Sequence, residues 1–202
     1  DRSSAASDVY KRQVYTLLLT HRPLLLSKCE LKTGDPEVMT WESRLTEFAA
    51  AVGGKIVWNV QLDTKDRAVE SAYAAWQKDP NSPAAANAVA LTLHDWIWAQ
   101  QQIYPHLRYI VLAGDDRILP HLRMTIVPVG STADWAREPA YLSSLVPGAI
   151  APGTPIERAL ASDMTLTDDV YGARSPVVWP GGELYIPELA VGRLVECPAG
   201  MT

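Results

Sequence analysis

The residues of this chain best placed to do chemistry are carboxylates. Asp115 and Asp116 follow Gly114 at the end of the apolar run Tyr109-Ile110-Val111-Leu112-Ala113, and Asp168 and Asp169 precede Val170-Tyr171-Gly172. A strand-length apolar run that ends abruptly in glycine and two acids reads as a buried central strand emptying into a loop. Open α/β sheets collect ligand and catalytic groups at that carboxyl edge. Three uses are open to such acids. They can cap turns by accepting hydrogen bonds from nearby backbone N–H groups, with Gly114 permitting the tight turn. They can accept the two fixed donor directions of a guanidinium, and Arg193, after Val191-Gly192 in another apolar run, is the expected neighbour of Asp115 or Asp116. Finally, Asp115, Asp116, Asp168 and Asp169 could share a calcium ion, which requires carboxylate oxygens within roughly 5 Å of one another and further oxygen ligands. The structural pairing with Arg193 is the expectation, Asp169 reads as a turn-former ahead of Tyr171 and Gly172, and calcium is the minority reading.

Nucleophilic chemistry has less to stand on. Cys29 follows a leucine run and Cys197 lies between Glu196 and Pro198. Two cysteines so far apart, without metal-ligand spacing, indicate neither a disulfide framework nor a zinc site, and both read as small apolar side chains. His94 falls within a helical pattern, and His21, His106 and His121 carry no distinctive context, so none is assigned chemistry. No serine occupies a Gly-x-Ser-x-Gly elbow, and a glycine-rich phosphate loop is missing from the sequence.

The elements that must position the carboxylates follow from periodicity. Val14–Thr20 is a β-prone run closed by His21-Arg22-Pro23, read as a breaker before a polar loop. Asp35-Pro36 supplies a cap and a first-turn proline for a helix whose apolar face is Val38, Trp41, Leu45, Phe48 and Val52. Gly53-Gly54 stops it, and Lys55–Leu62 reads as the second strand. A helix capped by Thr64 buries Val69, Ala72, Tyr73 and Trp76, and Asp79–Pro83 ends it. The next helix turns Val89, Leu93, Trp96, Ile97 and Gln100 to one side and stops at Pro105, just ahead of Tyr109–Ala113. Periodicity then fades between about Pro120 and Ser175, apart from short helices expected near Ala140–Leu145 and Thr154–Leu160, until Leu189–Val195 gives a fourth buried strand. Strands alternating with helices predict an α/β fold: three layers around a mostly parallel four-stranded sheet in the order 2-1-3-4, with a long loop-rich insertion.

Composition bounds the partners. With 48% hydrophobic and 20% charged residues, 202 residues suffice for one sizeable core. The net charge of −5 includes no lysine or arginine block, which argues against nucleic acid or a polybasic membrane patch, and no apolar run reaches the roughly 20 residues of a membrane span. Ser7–Gln13 corresponds to what a transposase end used in sequencing libraries encodes when read in frame. Residues 1–13 are therefore expected to be non-native, and 14–202 to form one α/β domain truncated at its C-terminal end.

Three ordered blocks carry a family resemblance. Tyr109 to Pro120 is an apolar strand followed by Gly-Asp, Thr167 to Gly172 holds Asp-x-Tyr before a turn, and Ile186 to Leu194 ends in Val-Gly-Arg-Leu. In this order and separation they resemble the gingipain-type cysteine peptidases of the caspase-like clan. The resemblance gives Gly114, Asp115, Asp116, Asp169, Tyr171, Gly192 and Arg193 structural roles in family motifs. It implies a non-catalytic first subdomain beside a caspase-like one that carries the histidine and cysteine, both expected beyond Thr202. No cofactor is implied beyond the calcium alternative. The implied partners are the downstream subdomain and a protein or peptide substrate, in a secreted or cell-surface setting. The competing expectation is a non-enzymatic or cation-binding α/β interaction domain.

Overall fold

The structure is a computed structural model that describes residues 13–125, 152–162, 164–179, 182–195 and 197–198. Its centre is a parallel four-stranded sheet in the order β2-β1-β3-β8, formed by β1 (Thr16–Leu19), β2 (Gly54–Val57), β3 (Tyr109–Ala113) and β8 (Ala190–Leu194). This is the expected order and direction. Leu17, Leu18 and Leu19 are successive and fully buried. Because alternate residues of a strand face opposite sides, β1 must be covered on both faces.

Helices surround the sheet. They are α1 (Arg22–Lys28), α2 (Pro36–Ala51), the single turn α3 (Val60–Asp63), α4 (Arg67–Lys78) and α5 (Pro83–Ile103). In α4 the buried residues are Val69, Ala72, Tyr73 and Trp76, as the periodicity predicts, and α5 buries Val89, Leu93, Trp96 and Ile97 together with Ala86 and Ala90. Later in the chain come β4 (Leu122–Thr125), α6 (Pro155–Ala161), β5 (Met164–Thr167), the single turn α7 (Asp169–Gly172), β6 (Ala173–Trp179) and β7 (Gly182–Pro187). β4 pairs with β5 and β6 with β7, both antiparallel.

Several expectations are corrected. His21-Arg22-Pro23 starts a helix and does not break the chain: Pro23 sits in the first turn of α1, where its missing N–H costs nothing, and His21 Nδ1 accepts from Leu24 N at 3.3 Å. The second strand ends at Val57, because Asn59 N donates to Asp63 Oδ2 and folds Val60–Asp63 into a helical turn. On α2 the face runs Val38, Trp41, Leu45, Ala49, since a four-residue step from Leu45 reaches Ala49 and leaves Phe48 exposed. The cap of α4 is Asp66, which accepts from Ala68 N at 2.8 Å, whereas the Thr64 hydroxyl accepts from Asp66 N, ahead of the helix. The helix expected near Thr154–Leu160 is α6, and that near Ala140–Leu145 lies outside the described residues, as do residues 1–12 of the segment expected to be non-native.

The cysteines are the largest correction. Cys29, at the end of α1, and Cys197, beyond β8, form a disulfide across a sequence separation of 168. Neither is the isolated apolar side chain that spacing implied. Distance in sequence carries no information about which ends of a parallel sheet the fold brings together.

Candidate functional site

At the carboxyl edge of β3 and β8 the three sequence blocks meet. Gly114 closes β3 with a φ of +146°, and a Cβ there would lie 2.7 Å from Ile118 Cβ, so both conformation and space favour glycine. Asp115 O then accepts from Ile118 N and Leu119 N, making a tight turn that carries the chain to His121 and β4.

Arg193 projects from β8 into this turn. Its Nε and Nη2 donate to Asp168 Oδ2 and Oδ1 at 2.8 and 2.5 Å, and its Nη1 donates to the carbonyls of Gly114 and Leu119 at 2.9 and 2.7 Å. One guanidinium thus ties three segments together, using the fork geometry that lysine lacks. Burial weakens its charge, but Asp168, Tyr171 and Asp116 outweigh that and raise its pKa. The bidentate partner is Asp168, where the sequence pointed to Asp115 or Asp116. Asp115 instead bonds Arg117, through Nε at 2.8 Å and Nη2 at 2.5 Å.

Asp116 is deeply buried and satisfied from several sides. Arg123 Nη2 donates at 2.6 Å, His121 N at 2.9 Å, and the His121 ring Nδ1 lies at 3.0 Å. Burial pushes its pKa up, yet hydrogen bonds from His121 and the charge of Arg123 prevail and hold the carboxyl below its ordinary range. The other ring nitrogen of His121 is 3.6 Å from Asp168 Oδ2, so the imidazole stands between two carboxylates that each hold an arginine.

The Val170-Tyr171-Gly172 block locks beneath this layer. Tyr171 is fully buried and donates its hydroxyl to Pro120 O at 2.5 Å, and burial drives its pKa well above the ordinary phenol range. Gly172 accepts at its carbonyl from Glu188 N and Leu189 N, and a Cβ there would come 2.2 Å from Leu189 O. Asp169 does begin a turn, although not through its carboxylate: the supporting bond runs from Asp169 N to Thr167 Oγ1.

Comparison with protein-family models, characterised proteins and solved structures found no match.

Sequence reasoning missed Asp168 as the partner of Arg193, gave His121 no role and passed over Arg123. Their signal was a two-residue spacing, which places both on one side of an extended segment following Asp116. Gly192 is exposed in β8 and contacts nothing that would exclude a Cβ. Among the described residues, no group of three or more His, Cys, Asp or Glu side chains is arranged to hold a metal ion, and no helix is long and apolar enough to cross a membrane. His94 is occupied structurally by Asp95 and the carbonyl of Ala173. What this edge offers chemically is a satisfied, charge-balanced latch. Within it Asp116, its pKa lowered by His121 and Arg123, serves as an acceptor.

Proposed function

We propose that these residues form the non-catalytic N-terminal subdomain of a gingipain-like cysteine endopeptidase, which supports a caspase-like catalytic subdomain. The observation that carries this reading is the convergence of the three resembling blocks. Residues 25 to 79 positions from Arg193 in sequence meet it at one sheet edge, where it bonds Asp168, Gly114 and Leu119 at once. A motif that appears in order along a chain and then assembles into one bonded unit is better explained by a shared architecture than by chance spacing.

The cysteines support a structural role for this part of the chain. A nucleophilic thiolate must be free and lie beside a base, whereas Cys29 and Cys197 are bonded to each other. Disulfides persist in oxidising compartments, which suits a secreted or cell-surface endopeptidase.

Reading the gene downstream, expressing the longer protein and treating both forms with a peptide-based thiol-alkylating probe tests the proposal. The longer protein should be labelled at a cysteine that follows a Gly-His segment, and these 202 residues should not. Absence of such a histidine and cysteine downstream would leave the non-enzymatic interaction domain as the better reading.

A further inference from the structure

The other half of the same sheet edge carries a cleft that the latch does not use. Its volume is about 730 Å³, and its lining includes His21, Leu24, Lys28, Gln61, Trp76 and Arg117. His21 follows β1 and Arg117 follows β3. These strands are neighbours, yet the chain leaves β1 toward β2 on one side and leaves β3 toward β8 on the other. The cleft therefore lies at the carboxyl ends of the two strands between which the winding reverses, the place where open parallel sheets form ligand crevices. Its size is that of a small-molecule site. Cavity and topology point to the same spot independently.

The groups around it are asymmetric in charge. Lys28 and Arg117 are cations, and among the described residues no aspartate or glutamate lines the cleft. Arg117 is already engaged by Asp115, while Lys28, exposed at the end of α1, has no ion pair among the described residues. Neutral donors accompany it. His21 Nδ1 accepts from Leu24 N, so its Nε2 carries the hydrogen and donates to Gln61 Oε1 at 2.9 Å. Burial lowers the pKa of His21 and so favours this neutral form. Gln77 Nε2 donates to the same oxygen at 3.2 Å, which fixes the Gln61 amide and leaves its NH₂ without a partner among the described residues. Leu24, Leu62, Trp76 and Pro80 supply apolar wall.

We propose that this cleft binds a small organic carboxylate with an apolar body, its carboxylate taken by Lys28 and the Gln61 amide and its body laid along Leu24, Leu62 and Trp76. An ammonium and an amide NH₂ both donate and suit an anionic acceptor, while the apolar wall rewards a ligand larger than an inorganic anion. The proposal does not depend on the peptidase reading, since no latch residue takes part.

The test is a titration of the ¹⁵N-labelled protein with N-acetyl-L-leucine, followed by amide chemical shifts, beside the same titration with neutral N-acetyl-L-leucinamide. Saturable shifts confined to residues around the cleft are expected, with a Kd of order a millimolar for so small a ligand, and with the carboxylate bound several-fold more tightly than the amide. Lys28→Met should weaken N-acetyl-L-leucine binding about fivefold and leave the amide unaffected. Leu62→Glu, at a second exposed position, should weaken both ligands. Thermal melting of each variant confirms that the fold persists. Absence of saturable shifts, equal affinity for acid and amide, or binding of N-acetyl-L-leucine unchanged by Lys28→Met would overturn the assignment.

Discussion

Asp116 and Arg123 are both almost completely buried, so neither can fall back on water if the other is lost. Asp116→Asn should cost about 3–5 kcal/mol, because it strands a buried guanidinium, and urea denaturation would measure it. The pH dependence has a definite sign. Since the folded pKa of Asp116 is depressed, its contribution is complete above the unfolded value of about 3.9 and is lost as pH falls through the lower folded value. The acid limb of the melting-temperature profile should therefore flatten in Asp116→Asn relative to the parent. Arg193→Lys keeps the charge but gives up the fork, and Asp168 together with the Gly114 and Leu119 carbonyls would compete for one ammonium. A loss of about 2–3 kcal/mol is expected, of the size found when buried acceptors go unpaired. Tyr171→Phe removes the hydroxyl that donates to Pro120 O without changing ring packing, and should cost about 1–2 kcal/mol by the same measurement.

At the scale of elements, α7 is a single turn that cannot be stable alone and is held by what it touches. Gly172 lets it approach the segment leading into β8, so Gly172→Ala must push the turn or Leu189 aside. The variant should lose hydrogen-exchange protection at Glu188 and Leu189, whose N–H groups bond Gly172 O, before it loses protection at β1. Unchanged protection there would show that the close approach is dispensable. These elements also divide what the sequence disclosed from what it withheld. The parallel strands and the buried faces of α4 and α5 were legible, because apolar runs and helical periods are local signals that burial imposes directly. The antiparallel pairs β4–β5 and β6–β7 were not, since β5 and β7 are partly exposed and their alternation is weak. At the candidate site the sequence drew attention to Gly114, Tyr171 and Arg193, which meet at this edge, but the pairing of Arg193 with Asp168 depends on how far α7 reaches under the turn after β3, which only packing determines.

For the molecule as a whole, the disulfide encloses nearly the entire described fold, including three of the four strands of the parallel sheet, β2, β3 and β8. Closing so long a loop restricts the unfolded chain by up to about 5 kcal/mol in the chain-entropy account. Reduction, or Cys197→Ala, should lower the urea midpoint, and the two treatments together should do no more than either alone. An additive effect would mean that Cys29 and Cys197 act separately. The crosslink also has a mechanical meaning. β8 is an edge strand, held to the sheet on one side only by β3, and a pull on the chain beyond it would ordinarily peel it away bond by bond. With Cys197 joined to Cys29, tension arriving from that direction bypasses β8 and is delivered to the end of α1, next to the fully buried strand β1. The load path runs into the most deeply embedded part of the molecule and leaves the latch at its edge unstressed.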